Sequence, residues 1–173
     1  ENMPLLVSMA RSAAIHAACS YRGFKVGVAA QGHYNEAGLI DIVSAGNLKP
    51  KENEDKICAE YIALQKLDKT GMQEVTGLVV VATTDRKQIA EVNQGLATPT
   101  LPPCYECQHG VCTHHKLMRD NSLIVTAGMG TEPQNDIFQA YLNSELLNYF
   151  KHDNHEPLFD NVHTFDNWAE RLV

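Results

Sequence analysis

The pair of motifs Cys58-Ala59-Glu60 and Pro103-Cys104-Tyr105-Glu106-Cys107 constrains this chain more than any other feature. Three thiols and a carboxylate split between two segments act together only if the fold brings those segments to one point. Residues three apart on a helix are about 60° apart around its axis, so Cys104 and Cys107 can face one ion from a single turn. Cys58 must then approach from a second element. Three thiolates leave the fourth position of a tetrahedral zinc ion open, the pattern of a catalytic site, whereas a structural site closes with a fourth Cys or His. The alternatives are buried structural thiols or a closed zinc knot. A knot would need Cys112 or one of His109, His114 and His115. Cys112 is a poor candidate, lying about 140° around the helix from Cys107 and roughly 7.5 Å along its axis.

Periodicity sets these motifs in an α/β frame. Residues 4–20 are expected as a helix: Pro4 suits a first turn, and Leu5, Leu6, Met9, Ala13, His16 and Ala17 recur on one face. Strands are expected at 24–30 and 38–45, joined across the polar, glycine-bearing stretch 31–36 as an antiparallel pair. Residues 56–69 are helical in period through Ile57, Ile62, Leu64 and Leu67, and Gly71 ends the helix, which places Cys58 and Glu60 in its first turn. The apolar runs 78–83 and 123–127 suit strands buried on both faces. A helix over 104–118 between them completes a β-α-β-α-β order, with helices against a mixed sheet. Two helix N-termini then bring partial positive charge toward the thiolates and help keep them ionised. Residues 98–103 read as an extended approach to the second helix, because residues before proline avoid helical angles. The rest of 84–97 is either a flap over a pocket or a solvent loop. A last amphipathic helix is expected through Ile137, Phe138, Tyr141, Leu142, Glu145, Leu146 and Phe150.

A chain of 173 residues, 44% of them apolar, suits one domain over 1–173, with 131–173 as a C-terminal helical extension. No apolar run approaches the ~20 residues of a membrane span. No secretory signal is visible, and five cysteines, three in metal-ligand spacing, fit a reducing compartment better than a disulfide framework. A cytoplasmic location is expected. The formal charge of −7 leaves no basic stripe for a phosphate backbone and favours a small-molecule substrate over nucleic acid.

Cys-Ala-Glu followed by Pro-Cys-x-x-Cys resembles the zinc-dependent cytidine deaminases, in the nucleoside and blasticidin deaminase branch where cysteine replaces the usual first histidine. Phe24-Lys25-Val26-Gly27-Val28-Ala29 is similar to that family's F-x-V-G-A-A strand, and Gly46-Asn47 resembles its G-x-N turn. Asn47 precedes Cys58 by eleven residues, the family separation. The resemblance covers residues 20–118. It implies a three-layer α/β/α cytidine deaminase-like fold with a mixed five-stranded sheet, a zinc cofactor on Cys58, Cys104 and Cys107, and a homodimer or homotetramer. It also implies a hydrolase acting on the C–N bond of a cyclic amidine, with Glu60 as the catalytic residue that takes a proton from water and passes protons to the ring nitrogen and the departing ammonia.

Phe24, Asn47, Ala59 and Lys49 fall on substrate-binding positions of that family. Phe24 also reads as an ordinary core residue of a strand, and Asn47 as an ordinary turn residue. Lys49 stands where nucleoside deaminases commonly carry a ribose-binding glutamate, which favours a substrate with a phosphate, carboxylate or other anionic group. Tyr61 and Gln108 replace two arginines that offset the thiolate charge in this branch. The expected function is a zinc-dependent hydrolytic deaminase of a cytosine-type nucleoside, base or related aminated heterocycle. A catalytically silent, zinc-scaffolded ligand-binding protein and a transfer-RNA deaminase are the alternatives.

Overall fold

The computed structural model describes residues 2–19, 25–34, 38–49, 56–83, 107, 115–128, 137–144 and 163–164. Along the chain run α1 (Met3–Ile15), β1 (Lys25–His33), β2 (Ile40–Gly46), α2 (Ala59–Lys69), β3 (Glu74–Thr83), β4 (Leu123–Gly128), β5 (Ile137–Leu142) and the two-residue β6 (His163–Thr164). The strands form one sheet in the order β2-β1-β3-β4-β5-β6. β3 and β4 are parallel and every other pair is antiparallel, so the sheet is mixed. Five long strands carry it, and β6 adds a short edge.

The two helices cover opposite faces. Val28, Ala30, Leu78, Val80, Ile124 and Tyr141 pack with α2, whereas Ala29, Val79, Val81, Val125, Ala127 and Phe138 pack with α1. Successive strand residues point to opposite faces, so cover on both faces goes with continuous apolar stretches at 78–82 in β3 and 123–125 in β4. This is the expected three-layer α/β/α arrangement. Among the described residues no helix is long and apolar enough to cross a membrane.

α1 lies closer to the sheet than its larger side chains foretell. Gly27 and Gly46 are direct partners across β1 and β2. A Cβ on Gly27 would stand 2.0 Å from the Ala10 carbonyl oxygen, and one on Gly46 would stand 2.7 Å from that of Ala13. The helix therefore presents Met3, Leu6, Val7, Ala10 and Ala14, and leaves Leu5 52% exposed. Of the stripe expected through Leu5, Leu6, Met9, Ala13, His16 and Ala17, Leu6 and Ala17 are buried and Met9 partly so, while Leu5 and His16 are exposed, because small alanines over a glycine notch approach more closely than leucines can.

Two elements differ from their sequence-based expectation. The amphipathic helix expected from residue 137 is instead strand β5 over Ile137–Leu142, with Phe138 opposite Ala127 and Tyr141 opposite Ile124. Phe138 is buried on the α1 side and Tyr141 on the α2 side, so apolar residues three apart imitate a helical stripe, and β-branched and aromatic side chains settle the segment as strand. Residues 145–150 lie outside the described residues. The helix expected over 104–118 does not extend through 115–118, which form a turn, and of the residues before it only Cys107 is described.

Cys107 comes between the parallel strands β3 and β4 in the chain and packs in the same apolar group as Ala59, Ala63 and Leu64 of α2, on the α2 side of the sheet. That placement brings Cys107 to the first motif. The approach to β4 is clamped to the start of β3: Val75 donates its backbone N–H to Leu117, and the buried Ser122 hydroxyl donates to the Val75 carbonyl.

Candidate metal centre and active site

Cys58 is the N-cap of α2, with extended backbone angles φ −71° and ψ 145°. Its position is set by the segment before it. Leu48 and Ile57 exchange two backbone hydrogen bonds of 3.0 Å, which ties the exit of β2 to the approach of α2. The chain then turns into the helix at Ala59, and the Cys58 carbonyl accepts from Ile62 N–H. An N-cap side chain naturally lies over the first helical turn, where backbone N–H groups have no intrahelical partner. Glu60 stands in that turn and is only 4% exposed.

Cys107 reaches the same point from the connection between β3 and β4 and is 1% exposed. The Cys58 and Cys107 sulfurs and a Glu60 carboxylate oxygen all lie within 4.8 Å of one another. Cys58 and Cys107 are not joined in a disulfide. Two convergent thiols and a carboxylate at a helix N-terminus, with Glu60 and Cys107 buried and Cys58 half-buried, are a donor set that fits zinc: soft sulfur selects zinc over magnesium or calcium, and the helix end favours the thiolate forms. Cys104, the third ligand expected from the sequence, lies outside the described residues, as do Phe24, Gln108, His109, Cys112 and His114.

The other sequence-derived positions among the described residues are Asn47, Lys49, Ala59 and Tyr61. The Asn47 side-chain oxygen accepts the Val26 N–H at 3.0 Å, and the Asn47 N–H donates to the Val26 carbonyl at 2.9 Å. Asn47 is buried and locks the end of β2 to β1 just ahead of the Leu48–Ile57 pair. This anchoring role is invisible in sequence, where only the turn propensity of asparagine shows. Asn47→Ala is expected to cost about 1–3 kcal/mol, since it strands a buried N–H, while Asn47→Asp keeps the acceptor and recovers most of the loss. Urea unfolding of the two variants measures the difference. Lys49 is half-buried and its backbone N–H donates to Ala18, joining this corner to the chain after α1. Ala59 is fully buried against the α2-side core. Tyr61, next to Glu60, is 47% exposed.

His115 is not among the convergent donors. Its Nδ1 accepts the Leu117 N–H at 3.2 Å in the turn that leads to β4. Burial pushes its pKa below 6.5, with Asp68 pulling it up and Lys116 pushing it further down. The native state therefore binds fewer protons than the unfolded chain between the lowered value and 6.5, so stability rises with pH across that interval. Its contribution is complete above about pH 6.5 and is lost as pH falls toward the folded-state value. Thermal unfolding between pH 5 and 7.5 is expected to show this slope, and His115→Asn, which retains an acceptor for Leu117, is expected to flatten it.

Comparison with solved structures gives a consistent set of neighbours. A cytidine deaminase from Burkholderia pseudomallei superposes with a TM-score of 0.62 at 19% identity, over 84% of this chain and 96% of that one. The enzyme from Mycobacterium leprae gives 0.55 at 20% identity over 85% and 98%, and that from Mycobacterium tuberculosis gives 0.52 at 23% over 72% and 84%. The chain has a cytidine deaminase-like fold. No family profile and no curated protein sequence matches it. In this cytidine deaminase-like frame the mixed sheet and the start of α2 hold Cys58 and Glu60, and the β3–β4 connection delivers Cys107.

Proposed function

We propose that this chain is a zinc-dependent hydrolytic deaminase that releases ammonia from a cytosine-type nucleoside, base or related aminated heterocycle. The observation that carries the reading is the convergence of Cys58 with the buried Cys107 and Glu60, since a proton-transferring carboxylate beside two thiol ligands is what hydrolysis of an amidine carbon requires. Cys58, Cys107 and, by its spacing from Cys107, Cys104 are the residues assigned to hold the metal. When bound, zinc supplies Lewis acidity that activates a water near neutral pH.

The residues of the chain do the remainder. Glu60 accepts the proton of the attacking water, delivers it to the ring nitrogen as the amino-bearing carbon becomes tetrahedral, and carries a further proton to the departing ammonia. Its burial suits this, because a carboxylate shielded from bulk water keeps its proton inside the site. The N–H groups of the first turn of α2 favour the anionic forms of Cys58 and Glu60. Asn47 and Lys49 are assigned to the substrate side of the site through the corner that joins β2 to α2, and Phe24 and Ala59 to its walls. The positive charge of Lys49 points to a substrate bearing an anionic group. The assigned assembly is a homodimer or homotetramer, and the assigned location is the cytoplasm.

Ammonia release by zinc-loaded protein, measured against cytidine, deoxycytidine, cytosine, their phosphates, blasticidin-like compounds and aminated purines and pterins, tests the proposal. Turnover of at least one member supports it. Zinc binding with saturable ligand binding and no turnover of any member would favour a silent binding protein instead.

A further inference from the structure

We propose that Lys49 and Lys56 form a phosphate-binding subsite beside the metal centre, which makes the substrate a cytosine-type nucleotide. This inference rests on the deaminase reading and names the substrate class for it. Leu48 and Ile57 are paired in an antiparallel bridge by two backbone hydrogen bonds. One step along that register sets Lys49 opposite Lys56, and one step the other way sets Asn47 opposite Cys58. Side chains alternate between the two faces of such a ribbon, and directly opposed residues share a face. Leu48 and Ile57 therefore occupy one face, and Asn47, Lys49, Lys56 and Cys58 the other. Cys58 is extended, at φ −71° and ψ 145°, so the alternation holds up to the start of α2. Its sulfur belongs to the convergent donor group, so the face that carries both lysines is the one turned to the metal centre.

Exposure along the ribbon is inverted. A surface ribbon ordinarily turns apolar side chains inward and lysines to water. Here Leu48 and Ile57 are 37% and 36% exposed, whereas Lys49 is half-buried. Lys49 is held from its other side as well: its N–H donates to Ala18, and its bridge partner Cys19 is buried. Lys56 is exposed and stands about 5 Å across the ribbon from Lys49, measured between Cβ atoms. Two residues along a strand span about 7 Å, which sets the lysine pair that far beyond Cys58. A heterocycle held at the metal by its amino-bearing carbon places its sugar along the ribbon, and its phosphate then meets the two ammonium groups. Like charges directly opposite each other repel. A phosphate dianion offsets both charges, a carboxylate only one, and lysine binds phosphate as a point charge. Glu52, Glu54 and Asp55 lie in the connection between the two lysines, outside the described residues. Pairing with them is the purely structural role that the test separates from phosphate binding.

Equilibrium binding to zinc-loaded Glu60→Gln, in which turnover is slowed, tests the subsite, with cytidine, cytidine 3′-monophosphate, cytidine 5′-monophosphate and a carboxylate-bearing blasticidin-like compound as probes. At least one monophosphate is expected to bind about 10-fold or more tightly than cytidine, and Lys49→Gln and Lys56→Gln are each expected to remove most of that preference. Lys49→Arg and Lys56→Arg keep the cation and are expected to preserve it. Lys69→Gln, in the last turn of α2, is expected to leave it unchanged. Equal affinity for cytidine and both monophosphates, binding of neither monophosphate, or a preference that survives both glutamine substitutions overturns the proposal. Tighter binding of the carboxylate compound than of either monophosphate overturns it too. Ammonia release by zinc-loaded wild type is measured with the same compounds. Release without a phosphate preference removes the subsite and leaves the deaminase reading standing, whereas a lysine-dependent phosphate preference without release does the reverse.

Discussion

Gly27→Ala is expected to destabilise the protein by about 3 kcal/mol or more, at or beyond the upper end of ordinary overpacking. The added methyl would meet the backbone of α1, at 2.0 Å from the Ala10 oxygen and 2.3 Å from the Ala14 nitrogen, and no rotamer change relieves a backbone clash. The helix must lift off the sheet, which opens the contacts of Leu6, Val7 and Ala10 with Ala29 and Val79. Gly77→Ala provides the contrast. It sits on the same sheet face in β3, yet its nearest neighbour is the flexible Leu6 side chain at 3.7 Å, an ordinary contact. Alanine also loses less backbone entropy than glycine on entering a strand, so this variant is expected to be neutral or more stable by up to about 1 kcal/mol. The urea midpoint of Gly27→Ala is therefore expected to fall by about 1 M or more, and that of Gly77→Ala to stay in place or rise.

Cys58→Ser and Cys107→Ser are each expected to abolish stoichiometric zinc binding, and ammonia release with it. Loss of a ligand should lower affinity by more than the ~10–100-fold seen when only a supporting hydrogen bond is removed. Metal content after dialysis against a weak chelator reads this directly. Cys19→Ser is the control: Cys19 is buried at the corner between α1 and Lys49 and is not one of the convergent donors, so its replacement should leave zinc content unchanged.

Local chemistry made much of this molecule legible before its fold was known. The helix carrying Cys58 and Glu60 showed itself through the Ile62, Leu64 and Leu67 period and its stop at Gly71, which adopts a positive φ of 84°. The strands β3 and β4 were legible as apolar runs, and β1 and β2 as strand-like segments on either side of a polar, glycine-bearing connection. What was hidden depends on partners distant in sequence. β5 read as a helix because Phe138 and Tyr141, three residues apart, are buried on opposite sides of the sheet, which erases the alternation that marks a strand. The face of α1 was legible only in part, through Leu6 and Ala17, since the rest is selected by Gly27 and Gly46, whose pairing exists only once β1 and β2 lie side by side. At the site, the convergence of Cys58, Glu60 and Cys107 followed from motif chemistry. The fastening of that corner by Asn47 to Val26 and by Leu48 to Ile57 did not, because backbone pairing leaves no signature in side-chain type.

The central claim is that Glu60 moves protons in a metal-centred deamination, and the most direct measurement is ammonia release by zinc-loaded wild type and Glu60→Gln over the same substrate panel. The account predicts turnover of at least one aminated heterocycle by the wild type and a fall of about 10²- to 10⁴-fold in the variant, with an unchanged far-ultraviolet circular dichroism spectrum. Equal turnover by both proteins would contradict it.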